Sequence, residues 1–390
     1  MDDKSAKKMK RKSFFSGVIA TLLAIALLYF IYMIVPVGGG ASHPDSIQTI
    51  KKAKAIQRII DRYYLGDVNE QSETDTMFLG QVAGLGDRYS TYYTAEQYEE
   101  IQKERNGKYI GIGVTIAQSA DGDAAEIVSV GDGTPAASAG IQKGDLIYRI
   151  NGEDVTGYSS SDLSDLIEKY VGTEITMELK RGENGDMVTV SVTPEQMETE
   201  TVTGSMLDGG IGYIHITQFA KITVDQFKDT MKSLEDQGMQ KMILDLRDNG
   251  GGLVDSACEI GRQILPKGII VYEEDKDGKR IYEKNDEDNG FSMPLVVLVN
   301  ENTASAAEIL AGAIKDDGIA TIVGKTTFGK GIVQNDFRLP DGSYLKLTVR
   351  HYYTPDGNDI HGTGITPDVE VDAAGDGSDP QLDQAKALLG

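Results

Sequence analysis

Two kinds of apolar pattern alternate along the chain. Pro294–Val299 is a continuous apolar run and Met242–Leu246 is apolar except at Asp245; both predict buried strands, because strands covered on both faces are apolar at nearly every position. Other segments, such as Val224–Asp236 and Leu253–Leu265, carry apolar residues at three- and four-residue spacing, which predicts helices. We therefore expect residues 194–372 to form a core of mixed α/β class.

The amino terminus has a different pattern. Residues 14–35 are uncharged and mostly apolar, and six lysines and arginines precede them within residues 1–13. A helix of this length spans about 33 Å, which matches a bilayer core of about 30 Å. The basic flank predicts a cytoplasmic amino terminus, with the rest of the chain outside the cell membrane. A cleaved signal peptide is the alternative, although its apolar region usually has only about 7 to 15 residues.

Three further regions flank the predicted membrane helix and the core. Residues 36–106 begin with a glycine-rich spacer, and a helical pattern runs from residue 46 to about residue 101. Residues 107–193 carry short strand patterns and one helical pattern at Ser161–Tyr170. Residues 373–390 are polar and predict a mobile tail.

Composition excludes several classes of function. The net charge of −23, with basic residues clustered only at the amino terminus, argues against nucleic-acid binding. Cys258 is the only cysteine, so neither an intramolecular disulfide nor a thiol cluster for a metal is expected. Gly318 and Gly324 are too far apart for a phosphate-binding loop. We expect no cofactor and no metal.

Candidate chemistry lies beyond the Pro294–Val299 strand. Ser305 falls between that strand and a helix-forming segment, at the positive end of a helix dipole. Lys330 is flanked by two glycines, which can adopt backbone conformations closed to other residues. A serine is a good nucleophile only when a base takes its proton, and a lysine is that base only when a buried site keeps it neutral. Taken singly, an ordinary helix cap and a turn lysine explain the two residues.

The segments that contain these residues, Asn302–Glu308 and Gly329–Gln334, resemble those of the carboxyl-terminal processing peptidases, the tail-specific serine proteases. The resemblance implies that Ser305 is the nucleophile, that Lys330 is the general base and that Gln334 orients the lysine. Four residues of extended strand would hold Lys330 and Gln334 about 13 Å apart, so direct contact requires a turn or another route.

The same resemblance, which covers residues 46–372, implies an oxyanion site. Three consecutive glycines after Asn249 expose backbone N–H groups, although a flexible turn is the alternative. In the family this segment supplies one donor, which the resemblance assigns to Gly251 here, and the residue after the nucleophile, Ala306, supplies the other. Arg247 and its neighbour Asp245 are expected to be structural ion partners.

Residues 107–193 resemble the family's PDZ domain, a small β-barrel with helices, on the segments Ser138–Asp145 and Ile150–Glu153. A PDZ domain adds a peptide carboxyl terminus as a strand, and backbone N–H groups of a glycine-rich loop hold the carboxylate. The resemblance makes polypeptides with free carboxyl termini the substrates. It places the substrate-binding loop at Tyr109, Ile110, Gly111, Ile112 and Gly113. The arginine–glycine pair that the family often has after the PDZ helix is Lys169–Tyr170 here.

These features favour a membrane-anchored serine endopeptidase, with a bacterial origin. Helices such as those before the PDZ domain often mediate dimerisation in the family, so a homodimer is one expectation. Three alternatives stay open: a histidine base such as His351 or His361, a PDZ scaffold or apolar-ligand carrier that has lost catalysis, and an enzyme that only trims short peptides.

Overall fold

The computed structural model describes residues 46–119, 122, 124–182, 185–288, 291–375 and 377–390. The predicted transmembrane helix, residues 14–35, and the basic residues 1–13 lie outside these ranges. Within them, no helix is both long enough and apolar enough to cross a bilayer. The chain divides into two compact units, one that ends at Glu73 and one that begins at Thr74.

The region before the predicted PDZ domain is helical with one interruption. Its elements are α1 (Ser46–Tyr63), α2 (Glu70–Ala83), β1 (Thr91–Tyr93) and α3 (Ala95–Asn106). The strand β1 lies inside the segment for which the sequence predicted only helix. Its threonine and two tyrosines favour a pleated surface, and they pair with a strand of the core. Thr94 then starts α3 through a capping box with Gln97.

The described part of the predicted PDZ region consists of short strands in two sheets and two short helices. Its elements are β2 (Lys108–Gly111), β3 (Val114–Gln118), β4 (Ala125–Val130), α4 (Pro135–Ser138), β5 (Leu146–Ile150), β6 (Glu153–Asp154), α5 (Ser160–Glu168), β7 (Ile175–Arg181), β8 (Asp186–Val192) and β9 (Glu195–Glu198). The sheet order is β3-β4-β5-β7-β8, with β6 on β5, while β2 pairs with β9. The segment Gly111–Ile116, for which the sequence pattern predicts one strand, is divided between β2 and β3. Gly113 causes the break, because its φ of +84° is not an extended conformation. The neighbouring Thr134 leaves no room for a Cβ at this position, so the residue must be glycine.

The core contains a six-stranded, mostly parallel sheet. Its elements are β10 (Val202–Leu207), β11 (Ile211–Ile216), α6 (Thr223–Asp236), β12 (Lys241–Asp245), α7 (Val254–Ile264), β13 (Gly268–Asp275), β14 (Arg280–Asn285), β15 (Leu295–Val299), α8 (Ala306–Asp316), β16 (Ala320–Gly324), β17 (Ile332–Arg338), β18 (Tyr344–Tyr353), β19 (Val369–Glu370) and α9 (Pro380–Leu389). The sheet order is β10-β11-β12-β15-β16-β19. Every residue of β15 is buried, which confirms the interpretation of its apolar run.

This topology brings the candidate residues to one edge of the sheet. Strands β12, β15 and β16 are parallel neighbours, so the loops that follow them lie side by side. These loops carry Gly251, Ser305 and Lys330, respectively. The chain then continues into β17, which pairs with β18 of a second, antiparallel sheet.

The polar carboxyl-terminal segment is ordered as a helix, so the prediction of a mobile tail is wrong. Asp379 caps α9 by accepting the Leu382 N–H at 3.0 Å, and Pro380 fits the first helical turn. Ala385 is fully buried against apolar residues of the parallel sheet. A stripe of apolar residues on one side of a short helix is thus enough to dock an otherwise polar segment.

Cys258 lies on α7 and is fully buried. Burial raises the pKa of its thiol to about 12. This confirms the interpretation of Cys258 as a small hydrophobic core residue.

Candidate active site

Ser305 lies in a strained backbone conformation between β15 and α8. Its φ of 58° and ψ of −119° are unusual for a residue with a side chain, and such strain persists only where the surroundings fix it. The Ser305 N–H donates to the Glu308 carboxylate at 2.8 Å, and the buried Tyr352 hydroxyl donates to the Ser305 carbonyl at 3.1 Å. The corner is therefore fixed from both its N–H and its C=O side.

Glu308 connects this corner to the segment that carries Lys330. Its carboxylate is fully buried, and the oxygen that accepts the Ser305 N–H also accepts the Lys330 N–H at 2.9 Å. The other oxygen accepts the Gly329 N–H at 2.7 Å and the Thr327 hydroxyl. Sequence reasoning gave Glu308 no role, although the Ser-x-x-Glu spacing of a capping box signals the first of these bonds.

Ser305 and Lys330 line one cavity of about 350 Å³. Burial, followed by repulsion from Lys346, lowers the pKa of Lys330, while Glu308 and Asp87 act in the opposite direction. The net direction favours the neutral amine that a general base requires. No hydrogen bond joins Ser305 Oγ to Lys330 Nζ in the described part of the chain. The Lys330 Nζ atom lies 5.1 Å from the centre of the Tyr89 ring.

Gln334 lines the same cavity. Its side-chain Nε2 donates to the Thr348 hydroxyl at 3.2 Å. A register shift between Val333 and Gln334 interrupts the pairing of β17 with β18. Among the residues that the structure covers, no hydrogen bond links Gln334 to Lys330, although both side chains lie at one cavity.

The predicted oxyanion donors are adjacent to Ser305. A Cβ at Gly251 would lie 2.8 Å from the Ser305 Cβ, so this close approach requires glycine. The Gly251 N–H donates to the side chain of the buried Asn249 at 2.8 Å. The Ala306 N–H has no hydrogen-bond partner within the described ranges. Ala306 is thus free to donate, whereas Gly251 would first have to leave Asn249.

Lys346 is a second lysine at the cavity that sequence reasoning missed. It lies opposite Asp336 across β17 and β18. Asp336 pairs instead with Arg105, and Lys346 has no ion-pair partner among the residues described. Burial, followed by Arg105, lowers the pKa of Lys346. No motif surrounds Lys346, and only the alternating pattern of β18 indicates which of its residues share a face.

Arg247 and Asp245 form a structural ion pair, as predicted. Arg247 contacts the buried Asp245 through two nitrogens and Asp379 at 2.8 Å and 2.9 Å. This bridge joins the end of β12 to the start of α9. The rings of His351 and His361 pack edge to face with their centres 5.6 Å apart, and both residues lie outside the cavity lining. In the described ranges, no cluster of three or more His, Cys, Asp or Glu side chains is suited to a metal.

Only part of the predicted peptide-binding loop is a loop: Tyr109, Ile110 and Gly111 belong to β2, which pairs with β9, and Ile112 and Gly113 connect β2 to β3. Tyr109 and Ile110 face a different cavity of about 500 Å³, which α3, α6 and β9 also line. The Ile112 side chain is only 2% exposed and packs in the core of the predicted PDZ domain. The Ile112 side chain therefore cannot contact a peptide in this arrangement. The backbone N–H groups of Gly111–Gly113 are what this segment can offer to a peptide carboxylate.

Comparison with known proteins places this geometry in a family. The profile of peptidase family S41 matches residues 210–371, and a PDZ domain profile matches residues 126–181. The chain is 36% identical to the carboxy-terminal processing protease CtpA of Bacillus subtilis (strain 168) over 382 residues, which are 97% of this chain and 81% of the relative. The chain belongs to peptidase family S41. It is a serine protease of the carboxy-terminal processing class.

Further proteins are similar to this chain. A CtpA-like serine protease of Staphylococcus aureus (strain MRSA252) is 32% identical to this S41 peptidase, and the match covers 93% of this chain and 73% of the relative. An S41 protease structure from Bacteroides fragilis NCTC 9343 shares the fold, with a TM-score of 0.50, 18% identity, and coverage of 90% and 99% of the two chains. The photosystem II D1 C-terminal processing protease aligns with 82% of the S41 peptidase and 86% of its own chain, at 28% identity and a TM-score of 0.47.

Proposed function

We propose that this S41 peptidase is an endopeptidase that uses Ser305 and Lys330 as nucleophile and general base. One observation carries the proposal: both residues line one cavity, and their backbones are held by the same carboxylate oxygen of Glu308. Burial lowers the pKa of Lys330, in the direction that general-base catalysis requires.

The proposed reaction is an acyl transfer to serine followed by hydrolysis. The Lys330 side chain rotates from Tyr89 toward Ser305 and takes the Oγ proton while Oγ attacks the peptide carbonyl. The Ala306 N–H stabilises the resulting oxyanion, joined by Gly251 once its N–H leaves Asn249. The Lys330 ammonium then protonates the leaving amine, and a water that Lys330 deprotonates releases the acyl group.

Substitution of the two residues tests the proposal. Ser305→Ala and Lys330→Ala in the full-length chain should each lower the rate of cleavage of denatured casein by at least about a thousandfold, and the double variant should be hardly slower. Lys325→Ala is the matched control, because the Lys325 side chain pairs with Glu370 and Asp372 and lies outside the cavity lining. Substantial activity in Lys330→Ala would reject the assignment and direct attention to the histidines.

We further propose that the PDZ domain recognises substrate carboxyl termini. The proposal is supported by the position of β3, which is an edge strand of its sheet with α5 packed beside it. Val114, Ile116 and Leu166 are partly exposed along this edge and offer an apolar surface for a peptide side chain. The Gly111–Gly113 loop precedes β3 and would present N–H groups to the carboxylate.

The membrane anchor and the homodimer stay proposals from the sequence. Residues 14–35 would hold the chain in a cell membrane with residues 1–13 in the cytoplasm and the catalytic domain outside. Protease added to intact spheroplasts should then digest the catalytic domain and spare the basic tail. A mature protein that begins near Ser42 and is released into the medium would contradict the anchor. Sedimentation of the full-length chain in detergent tests the dimer.

A further inference from the structure

A chain of hydrogen bonds connects Gln334 to a carboxylate outside the predicted catalytic residues. The Gln334 amide donates to the hydroxyl of Thr348, which lies directly opposite on β18, at 3.2 Å. The Thr348 hydroxyl in turn donates to the carboxylate of Asp87 at 2.6 Å. Ser90 donates to the same carboxylate oxygen at 2.6 Å and accepts the Thr348 backbone N–H at 3.0 Å. Asp87 therefore holds Thr348 by both its side chain and, through Ser90, its backbone.

The direction of these hydrogen bonds is determined by Asp87. Burial favours its neutral form, but the hydrogen bonds from Ser90 and Thr348 prevail and lower the pKa of Asp87. An ionised carboxylate can only accept hydrogen bonds, so the single proton of the Thr348 hydroxyl is directed to Asp87. The Thr348 oxygen can then only accept from Gln334.

This polarity defines the orientation of the Gln334 amide. Only its NH₂ group can donate to Thr348, so its carbonyl oxygen is the end left for the cavity that Gln334 and Lys330 both line. A carbonyl oxygen accepts an N–H from either a lysine amine or an ammonium. The reversed amide would present only donors to Lys330, and those cannot accept from it.

We propose that Asp87 and Thr348 are positioning residues, which hold the Gln334 carbonyl oxygen ready to accept an N–H of Lys330 while that lysine serves Ser305. The inference rests on the proposed roles of Ser305 and Lys330. It assigns a task to the Asp87–Ser90 turn, which neither the fold of the core nor the predicted catalytic residues explain.

The test removes the hydroxyl of Thr348 and keeps its shape. Thr348→Val in the full-length chain should lower kcat for denatured casein by about tenfold and leave KM nearly unchanged, because the amide loses its orientation and not its contact with substrate. Thr348→Ser keeps the hydroxyl and should retain kcat within about twofold. Thr348→Ala is the second hydroxyl-free variant, for use if the valine variant has a lower unfolding midpoint. Wild-type kcat in a folded hydroxyl-free variant would overturn the proposal.

A double-mutant cycle separates positioning from a purely structural role. If Thr348 acts through Gln334, Thr348→Val should cause no further loss in a Gln334→Ala background. An equal fold-loss in both backgrounds would overturn the proposal. Asp341→Asn controls for a change in a turn carboxylate in general. Asp341 accepts hydrogen bonds from Ser343 in a turn similar to Asp87–Ser90, but it lies outside the cavity lining, so the kcat of this variant should stay at the wild-type value. Activity that persists in Ser305→Ala would instead reject the proposed function itself.

Discussion

The carboxylate oxygen of Glu308 that accepts the Lys330 N–H at 2.9 Å accepts the Ser305 N–H as well, at 2.8 Å. The strand β16 separates the two N–H groups in the chain, so no local geometry fixes their relative position. A fully buried side chain does so instead. The strained serine corner and the lysine loop are thereby one hydrogen-bonded unit.

Replacement of Glu308 should therefore affect catalysis and stability together. Glu308→Gln leaves one acceptor oxygen and adds an NH₂ group that faces N–H donors. We expect a loss of about 1–3 kcal/mol in the free energy of unfolding for each donor left unpaired, measured by urea denaturation, with a large loss of kcat. Glu301→Gln, on the exposed loop before Ser305, is the control and should change neither quantity. Equal behaviour of the two variants would show that Glu308 is not the link.

The charge of Lys346 should control the pH dependence of cleavage. After burial, repulsion from Lys346 is the main cause that lowers the pKa of Lys330. In Lys346→Gln that repulsion is absent, so the pKa of Lys330 should rise and less neutral amine should be present at pH 7. The acid limb of the profile of log(kcat/KM) against pH should move to higher pH, and the variant should approach wild-type activity at high pH.

The conservative variant Lys346→Arg provides the control for this shift. It keeps the positive charge, so its acid limb should stay near that of the wild type. Other charged or titratable groups at the cavity or in contact with Lys330 are Asp87, Tyr89, Tyr93, Glu104, Arg105, Glu308 and Tyr352. A loss of rate that is equal at every pH in Lys346→Gln would assign Lys346 a structural role only.

The docking of α9 can be tested with two alanines on one helix. Ala385 is fully buried against the parallel sheet, whereas Ala387 is exposed. Ala385→Asp places an uncompensated carboxylate in an apolar contact and should lower the free energy of unfolding by about 3–5 kcal/mol. Ala387→Asp makes the same change in helix propensity and should cost less than about 1 kcal/mol. Chemical denaturation measures both, and similar losses would show that α9 does not dock.

Complete burial is what made the core predictable. A strand covered on both faces leaves a continuous apolar run, and β15 matches Pro294–Val299 to within one residue. The placement of Ser305 at the following corner needs no further information. The helix α9 gave no comparable signal, because a one-sided stripe of few apolar residues in a polar segment is also typical of surface chain.

The partners of Gln334 could not be predicted for a different reason. Thr348 and Lys346 face β17 only in one register, and the register shifts by one residue between Val333 and Gln334. A shift of one residue moves every side chain to the opposite face of the strand. The alternation within β18 shows which of its residues share a face, but neither the neighbouring strand nor its register.

The helix α3 contacts both the PDZ domain and the antiparallel sheet that contains β17. Lys103 pairs with Glu168 at the end of the PDZ helix α5 at 2.9 Å. Two residues later, Arg105 pairs with Asp336 on β17. A peptide that binds beside α5 could therefore bias the position of β17, which carries Gln334. This path needs no arginine after α5, where the chain has Lys169.

We predict that a peptide with an apolar free carboxyl terminus, added in trans, stimulates cleavage of a short substrate that cannot reach the PDZ groove. The measurement is kcat/KM for a fluorogenic short peptide with and without the added peptide. Stimulation would support a switch, because a PDZ domain that only tethers substrate raises its local concentration and leaves a separate substrate unaffected. The amidated peptide should have no effect, since the Gly111–Gly113 loop then has no anion to hold. Glu168→Gln should weaken the stimulation and leave binding of the peptide unchanged, because the altered ion pair lies on the path and not in the groove. Equal stimulation by the free-acid and amidated peptides would reject carboxylate recognition, and full stimulation in Glu168→Gln would reject the path through α3.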